Sequence, residues 1–428
     1  MTDKLETLMN TLLNATVFEK WFSPMKAALE KVRYPDTPYR SLPLGEFITL
    51  GCLRQLLSID TLREQIQHLF HLDDTSSRPP VARSTWSDAL ASKKRLDILK
   101  QAVQALTQTY KDQLPDRYAM IAALQGRPIY AMDVTYQTES AHYNPVYPVD
   151  GGSDNQKGHL LLHTYDMRRA IPVDVGVATE SIGEMRFVKE QWEGAHWAKQ
   201  KKALYIVDRA FVDFYYWDVR KQHVQATVIS RMKTTYQYDV TRIRPLSLSV
   251  ENDGVLEDID ISPRSSKQPW RLIRFQAPNR EVYEYLTNDL TLAPGLIAFM
   301  YYRRWDEEKY FDAFKNDMAS SKAWGKSKVS IEQQALLGMA TYLLTRLFLV
   351  DSSQRLGCDE DKKLQQYKHK KKLLQHAESS GGISFRAYYQ ETSKITRQVW
   401  RFLKNCFTKQ STPELYEKQL RPLLEGYL

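Results

Sequence analysis

The stretch Tyr301–Lys315, YYRRWDEEKYFDAFK, decides how the rest of this sequence is interpreted. It contains no Pro or Gly, and its Glu, Lys and Ala residues favour a helix of about four turns. At about 100° per residue, four polar side chains fall within about 60° of one another on one face about 20 Å long. These side chains are Tyr301, Arg304, Glu308 and Lys315. Beside them, Phe311, Phe314 and Met318 form an apolar stripe that can pack against a core.

This polar face has two interpretations when it is considered alone. One acid flanked by two cations and a phenol suits a carboxylate that binds a metal ion while its neighbours hold phosphate groups. The alternative is a solvated charged face with ordinary ion pairs one turn apart, such as Arg304 with Glu308. Only the rest of the chain distinguishes these interpretations.

The composition limits the class of protein. At 428 residues the chain is long enough for two to four domains or subdomains, and 43% hydrophobic residues suffice for a sizeable core. Three widely separated Cys residues with no CxxC pair indicate a reducing cytosol, without a disulfide framework or a zinc site. A formal net charge of +9 favours a polyanionic partner.

No secretory or membrane segment is expected. The N-terminal stretch MTDKLETLMNTLL is too polar for a signal peptide. The apolar run at 339–350 is too short to span a membrane and contains Arg346. A cytoplasmic location is therefore expected.

Residues 1–125 are predicted to form a helical N-terminal region. After the break DDTSSRPP, a helix is expected over 81–90 with Ser84 or Thr85 as its N-cap, and 93–95 (Lys-Lys-Arg) continue along it. Two helices joined by a polar turn resemble a helix-turn-helix DNA reader, although many helical bundles contain such turns. Both interpretations stay open.

The pattern changes at residue 126, where an α/β core is predicted over 126–233 and 290–350. Three strands are followed by helix, strand, helix and strand, which is typical of a mixed sheet with parallel additions. Residues 234–289 alternate β-rich runs with turns and are predicted to form a β-rich insertion. Residues 351–428 are predicted to be a helical C-terminal region, whose lysine run Lys362–Lys372 is either a solvated helix face or a DNA phosphate contact.

Two acids lie within this core in apolar surroundings. Asp133 interrupts the strand YAMDVTY, and Asp208 ends the run ALYIVD. An unpaired charge there would cost several kcal/mol, so each acid needs an Arg, backbone amides or a metal ion as partner. Carboxylates from separate elements, without a His or Cys cluster, favour Mg²⁺ or Mn²⁺, and two such ions suit in-line phosphoryl transfer. With Glu308, these acids supply the minimum ligand set.

The three acids and the spacing Tyr-x2-Arg-x3-Glu-x6-Lys resemble the DDE-class transposases of bacterial insertion sequences. The spacing is that of the YREK signature of insertion-sequence family four, and the resemblance covers about 127–350. It implies a ribonuclease H-like mixed sheet core with a β-rich insertion, flanked by helical regions. It also implies cut-and-paste DNA transposition through 3′-OH attack, with two Mg²⁺ or Mn²⁺ ions held by Asp133, Asp208 and Glu308.

The resemblance also implies partners and further site residues. Double-stranded DNA with terminal inverted repeats is the expected substrate, a homodimer is the expected assembly, and a bacterial nucleoid is the expected location when DNA is bound. Tyr301, Arg304 and Lys315 would hold DNA strands at the cut. Further candidates for DNA contact are Arg209, Arg231 and Lys233, for which a surface cation is the alternative. Trp270 is a candidate for base stacking, for which a buried core Trp is the alternative. His159 and His163 are interpreted as core or hydrogen-bonding residues.

Three other function classes remain open on the sequence. A transposase-derived protein can bind DNA without cutting it, although such a protein has no need for all three acids. A ribonuclease H-like nuclease can resolve branched DNA, and preferential cleavage of junctions would distinguish it. A structural protein with a charged helix face would bind neither Mn²⁺ nor DNA.

Overall fold

The computed structural model describes residues 15–32, 41–62, 64–65, 81–119, 121–138, 147–148, 157–178, 183–192, 197–277, 280–355 and 395–408. The predictions for the break at 73–80 and for the lysine run Lys362–Lys372 lie outside these residues. The assignment of domain boundaries at 125/126, 233/234, 289/290 and 350/351 stays a prediction.

The helices of the described residues lie before, between and after the strands. They are α1 (Ala15–Lys31), α2 (Leu44–Leu57), α3 (Arg83–Ala91), α4 (Lys93–Tyr110), α5 (Glu184–Trp192), α6 (Phe214–Val224), α7 (Pro294–Tyr302), α8 (Trp305–Asp312), α9 (Lys328–Arg355) and α10 (Ile395–Thr408). The strands are β1 (Ile129–Thr138), β2 (Tyr147–Pro148), β3 (Lys157–Asp166), β4 (Ile171–Val177), β5 (Leu204–Val207), β6 (Thr227–Arg231), β7 (Tyr238–Ile243), β8 (Val255–Pro263), β9 (Trp270–Gln276) and β10 (Val282–Thr287).

All of these strands belong to one mixed sheet in the order β2-β3-β1-β5-β6-β10-β9-β8-β7, with β4 paired to β3. The series β4-β3-β1 is antiparallel, whereas β1-β5-β6 is parallel. The apolar run of β5, Leu-Tyr-Ile-Val, is buried along its whole length, as expected for a central parallel strand. The predicted α/β, ribonuclease H-like mixed core with flanking helices is confirmed.

The two faces of the sheet are covered by different helices. Along β1 and β5, Ala131 and Ile206 face the cluster that contains α1–α4 and α7–α10, whereas Met132 and Val207 face the cluster that contains α5 and α6. The alternation follows from the two-residue period of a strand. It fixes which face each neighbouring side chain of these strands reaches.

The β-rich insertion continues the core sheet. Its last strand, β10, pairs antiparallel with β6, so that Tyr285 lies opposite Arg231. The loop 288–292 that leads from β10 to α7 is held from both sides. Arg127 forms an ion pair with Asp289 (Nη1–Oδ2 2.9 Å), and Arg271 donates to the Leu292 carbonyl (2.6 Å). These contacts set the direction in which the chain enters α7.

Close packing at the start of α7 requires a glycine. A Cβ on Gly295 would lie 1.8 Å from the backbone oxygen of Glu251, which is far inside van der Waals contact. The Gly295 amide also donates to Asn252 Oδ1 (3.3 Å). The insertion therefore touches α7 directly as well as through the loop.

The long helix α9 is the central element of the helical face. It is apolar and long enough to cross a membrane by composition, but 94% of its most apolar window is buried inside the protein. Gln333 on α9 donates to the carbonyl of Leu90 at the end of α3 (2.6 Å), and Gln55 on α2 donates to the Gln334 carbonyl (3.0 Å). The N-terminal helices thus share one core with the sheet.

The helix predicted over 81–90 forms, but two of its details are wrong. Ala82, not Ser84 or Thr85, is the N-cap of α3, and it makes no side-chain cap. Ser92 is extended and separates α3 from α4, whose third residue, Arg95, is 4% exposed and donates to the Leu42 carbonyl (2.6 Å). Arg95 is therefore a structural residue, and the helix-turn-helix role of this region stays a prediction.

The end of α6 determines where β6 begins. Asp213 caps α6 by accepting from the Tyr216 amide (2.9 Å), and the helix extends to Val224. Gln225 then adopts a left-handed conformation (φ 58°), which ends the helix, so that β6 starts only at Thr227.

The buried ion pair between Arg271 and Asp258 (Nε–Oδ1 2.6 Å) predicts a large stability effect. Arg271→Gln leaves a buried carboxylate, 4% exposed, without its cation, and should lower the free energy of unfolding by about 3–5 kcal/mol. The matched control is Arg274→Gln on the same strand, whose pair with Glu257 is 42% and 48% exposed and should therefore affect the free energy of unfolding much less. Urea unfolding measures both, and equal losses would contradict the assignment of β9 to the core.

Candidate active site

Asp133 and Asp208 lie side by side on the central parallel strands. The register of β1 and β5 pairs Met132 with Val207, so the two acids are the next residues on neighbouring strands. Adjacent strands are about 4.8 Å apart, and laterally paired residues of parallel strands point to the same face. Since Met132 and Val207 point to the α5–α6 face, Asp133 and Asp208 point to the opposite face, under α7 and α8.

The stretch Tyr301–Lys315 is not one continuous helix. Helix α7 ends at Tyr302, a turn at Arg303 and Arg304 follows, and α8 begins at Trp305. A π-helical turn over Ala313–Asp317 then closes the segment, in which the Met318 amide donates to the Ala313 carbonyl (3.1 Å). The prediction of a regular helix is therefore wrong. The predicted apolar stripe is confirmed, because Phe311, Phe314 and Met318 are all buried.

Arg304, in the turn between α7 and α8, links α8 to strand β1 of the sheet. Its guanidinium forms ion pairs with Asp133 (Nη1–Oδ2 3.0 Å) and with Glu308 (Nη2–Oε1 2.7 Å). The pair with Glu308 confirms the predicted contact one turn apart. The Arg304 side chain is only 11% exposed, whereas those of Asp133 and Glu308 are 21% and 33% exposed. The structure thus brings Asp133, Asp208, Glu308 and Arg304 into one half-buried cluster.

The pKa of the Asp133 carboxyl reflects this clustering. The pKa of the Asp133 carboxyl is raised from 3.8 to about 6, chiefly by burial and also by the nearby carboxylates of Asp208 and Glu308. The Arg304 guanidinium and the Val134 amide oppose this rise in pKa. All three acids therefore influence one another, as acids that share a cation do.

Tyr301 and Arg231 lie beside this cluster. Tyr301 is 5% exposed, its ring lies 5.6 Å from the Arg304 guanidinium, and burial raises the pKa of its phenol to about 12. Asp208 raises this pKa, whereas Arg304 and Arg231 lower it, which places all three near the phenol. The Tyr301 ring is covered and packs against Arg304 in this structure, and the predicted contact of Tyr301 with DNA stays a prediction.

The remaining predicted DNA contacts have different surroundings. Arg209 follows Asp208 and is exposed. The guanidinium of Arg231 lies 4.9 Å from the Tyr283 ring, and the Lys233 ammonium lies 5.8 Å from the Tyr236 ring. The side chain of Lys315 lies outside the described residues. The structure therefore leaves Arg209, Arg231 and Lys233 as candidates without testing their contact with DNA.

The base-stacking role predicted for Trp270 finds no support in the surroundings of this residue. Its indole is 0% exposed, packs at 4.8 Å from the Phe214 ring and donates to Asp218 Oδ1 (3.0 Å). A flipped base has no route to a ring that is enclosed in this way. Trp270 is a core residue of the α5–α6 face, as the structural interpretation of this residue expects.

A different aromatic residue, Trp305, is exposed beside the acids. It is 56% exposed and directly follows Arg304 at the start of α8. Sequence analysis missed it, although a Trp between Arg304 and two acids on the polar side of a helix is itself a signal. By contrast, His163 is 0% exposed and lies within 3.3 Å of the Tyr310 hydroxyl, which confirms it as a core residue.

The donor set suits a hard divalent cation, although the side chains do not form a complete metal cage. Across the described residues, no three His, Cys, Asp or Glu side chains are grouped closely enough to hold a metal ion. The Arg304 guanidinium lies between Asp133 and Glu308. Carboxylate oxygens are nevertheless the ligand type that Mg²⁺ and Mn²⁺ prefer.

Comparisons with solved structures include a distant structural neighbour. No protein-family model matches the chain, and no curated protein matches it. The fold is similar to that of the piggyBac transposase in the cryo-EM structure of its synaptic complex with hairpin DNA. The TM-score is 0.43 and the identity 9%, over 97% of this chain and 84% of that chain. A similarity this distant assigns neither an activity nor site residues to this chain.

The raised pKa of Asp133 predicts a pH-dependent stability that Asp133→Asn removes. Since the folded pKa (about 6) lies above the ordinary value (3.8), the stabilising contribution of the protonated acid is complete below about pH 4 and is lost as the pH rises through about 6. The stability of Asp133→Asn relative to the wild type should therefore increase over this range by up to about 3 kcal/mol. Urea unfolding in metal-free buffer measures it, with exposed Asp239→Asn as control. A pH-independent difference would contradict the burial of this carboxylate.

Proposed function

We propose that this chain is a DNA transposase that moves an insertion sequence by metal-dependent cleavage of DNA ends and 3′-OH strand transfer. The observation that carries the proposal is the adjacency of Asp133 and Asp208 on β1 and β5, together with the link from Asp133 through Arg304 to Glu308. Acids on two central strands and one helix supply carboxylates to a single point, as two-metal phosphoryl transfer requires.

In this proposal each residue has a role that follows from its surroundings. Asp133, Asp208 and Glu308 would hold two Mg²⁺ or Mn²⁺ ions, which activate a water or a 3′-hydroxyl and stabilise the leaving oxygen. Arg304 and Arg231 would neutralise DNA phosphates at the site. Arg209, Lys233 and Lys315 would add phosphate contacts along the strand. Trp305 would take over base stacking, in place of Trp270.

The partner and the assembly belong to the same proposal. The substrate would be double-stranded DNA with terminal inverted repeats, which the helical region 1–125 would recognise. Cutting two ends together would require a homodimer. The protein would act in a bacterial cytoplasm, at the nucleoid when DNA is bound.

One observation favours a second candidate, a transposase-derived protein that binds DNA without cutting it. Arg304 already pairs with both Asp133 and Glu308, so that these two acids have a cationic partner without a metal ion. Such a protein would bind DNA and show no cleavage in Mg²⁺ or Mn²⁺. Cleavage of a DNA substrate by the wild-type chain separates the two candidates.

The proposed catalysis predicts that the acids are needed for cleavage and not for binding. Asp133→Asn, Asp208→Asn and Glu308→Gln should each lower Mg²⁺-dependent cleavage of DNA that carries the flanking repeats by more than about 100-fold, because each removes a metal ligand. Gel shifts should show retained DNA binding. Asp239→Asn, an exposed acid on the edge strand β7, is the control and should cleave as the wild type does. Unimpaired cleavage by any of the three variants would remove that acid from the site.

The exposure of Trp305 predicts a contribution to DNA affinity. Trp305→Ala should weaken binding by about 5- to 150-fold, since one stacked base contributes about 1–3 kcal/mol. Tyr215→Ala removes an aromatic residue of comparable exposure (67%) from α6, and should leave the affinity unchanged. Fluorescence anisotropy with a labelled duplex measures both dissociation constants. Equal affinities of Trp305→Ala and the wild type would show that the exposed ring does not contact DNA.

A further inference from the structure

Arg304 contacts the same oxygen atoms that a metal ion would need. It binds Asp133 through Oδ2 (3.0 Å) and Glu308 through Oε1 (2.7 Å), and these residues belong to different elements, β1 and α8. A divalent cation bound through both of these oxygen atoms would lie where the guanidinium lies. Two cations at this separation repel each other, so the site holds either Arg304 or a metal ion between these two acids.

The position of Arg304 is built into the fold. Its backbone amide donates to the Tyr301 carbonyl (3.0 Å) in the turn that separates α7 from α8. Its guanidinium lies over the Tyr301 ring (5.6 Å), and only 11% of the side chain is exposed. An ordinary surface pair one turn apart looks different. Arg186 and Glu190 on α5 also form such a pair (3.1 Å), yet they are 74% and 52% exposed.

A DNA phosphate offers Arg304 an alternative partner. The planar guanidinium binds phosphate oxygens through two parallel hydrogen bonds, and a DNA strand brings a high density of such acceptors. When the guanidinium turns to a phosphate, two ion pairs break, and the Asp133 and Glu308 carboxylates become available to a metal ion. DNA binding and metal binding therefore support each other, because such coupling is reciprocal.

Given the proposed metal-dependent function, we infer that Arg304 is an internal counter-cation that keeps divalent metal ions out of the site until DNA draws it away. It is a positioning residue in this role, because it holds two acids in place while DNA is absent. The consequence for the reaction is that a metal-loaded site assembles only on DNA, which limits unguided cleavage.

The experiment compares Mn²⁺ binding by full-length variants without DNA. The free Mn²⁺ signal in electron paramagnetic resonance gives the dissociation constant for the wild type, Arg304→Gln, Arg303→Gln and Arg186→Gln. Arg304→Gln should bind Mn²⁺ about tenfold more tightly than the wild type, within the range of typical coupling effects. Arg303→Gln tests the loss of a neighbouring charge, Arg186→Gln tests the loss of another Arg–Glu pair, and both should remain close to the wild type.

Two further measurements keep the test decisive if Arg304→Gln is less stable. In EDTA the melting temperature of Arg304→Gln should fall below that of the wild type, because the Asp133 and Glu308 carboxylates lose their ion-pair partner. Mn²⁺ should then raise it by more than it raises the wild-type value. Arg304→Lys retains a cation without the planar fork, and should bind Mn²⁺ more weakly than Arg304→Gln does.

The role of DNA is tested by repeating the Mn²⁺ titration with a short duplex present. The duplex should tighten Mn²⁺ binding by the wild type about tenfold and by Arg304→Gln much less. Equal Mn²⁺ affinities of the wild type and Arg304→Gln without DNA would overturn the inference, as would the absence of Mn²⁺ binding in every variant. Tighter binding by Arg304→Gln in a protein that neither binds nor cuts DNA would instead contradict the proposed function and support the counter-cation.

Discussion

The parallel pairing of β1 with β5 is the constraint on which the rest of the site depends. It places Asp133 next to Asp208 on one face of the sheet, in a position that water reaches poorly. Two neighbouring carboxylates repel each other, and burial adds to the cost, so the fold must supply positive charge there. Arg304 supplies it from the turn between α7 and α8, and in doing so brings Glu308 to the same point. The sheet register brings the negative charges together, and the turn between α7 and α8 brings the positive charge of Arg304 to them.

The β-rich insertion takes part in this arrangement because it is continuous with the core sheet. It leaves after β6 and returns to it through β10, and the loop 288–292 then carries the chain into α7. Arg127 and Arg271 fix this loop, and the tight approach of Gly295 to Glu251 fixes the start of α7. The direction of α7, which leads into the turn with Arg304, is thus fixed by contacts with residues from other parts of the chain.

The sequence predicts the succession of strands and helices in the core, because buried apolar runs are local signals. It does not predict the break at Arg303 and Arg304, since nothing in the composition of YYRRWDEEKYFDAFK disfavours a helix. Arg304 in that break forms an ion pair with Asp133, which lies 171 residues earlier in the chain, so this contact leaves no local signal. Trp270 shows the same limit, because its burial depends on Phe214 and Asp218 from another element. The N-cap of α3 was also not predicted, since the two suitable side chains, Ser84 and Thr85, lie two and three residues after the actual N-cap, Ala82.

The central claim is that Asp133, Asp208 and Glu308 share a divalent metal ion. Fe²⁺ can replace Mg²⁺ at such a site, and with ascorbate and peroxide it generates radicals that cut the polypeptide next to the bound ion. The measurement is the mapping of these cuts by mass spectrometry in the full-length protein bound to duplex DNA. The account predicts three clusters of cuts, around Asp133, Asp208 and Glu308, which disappear when Mg²⁺ is in excess. Cuts at other positions, or a protein that stays intact, would contradict it.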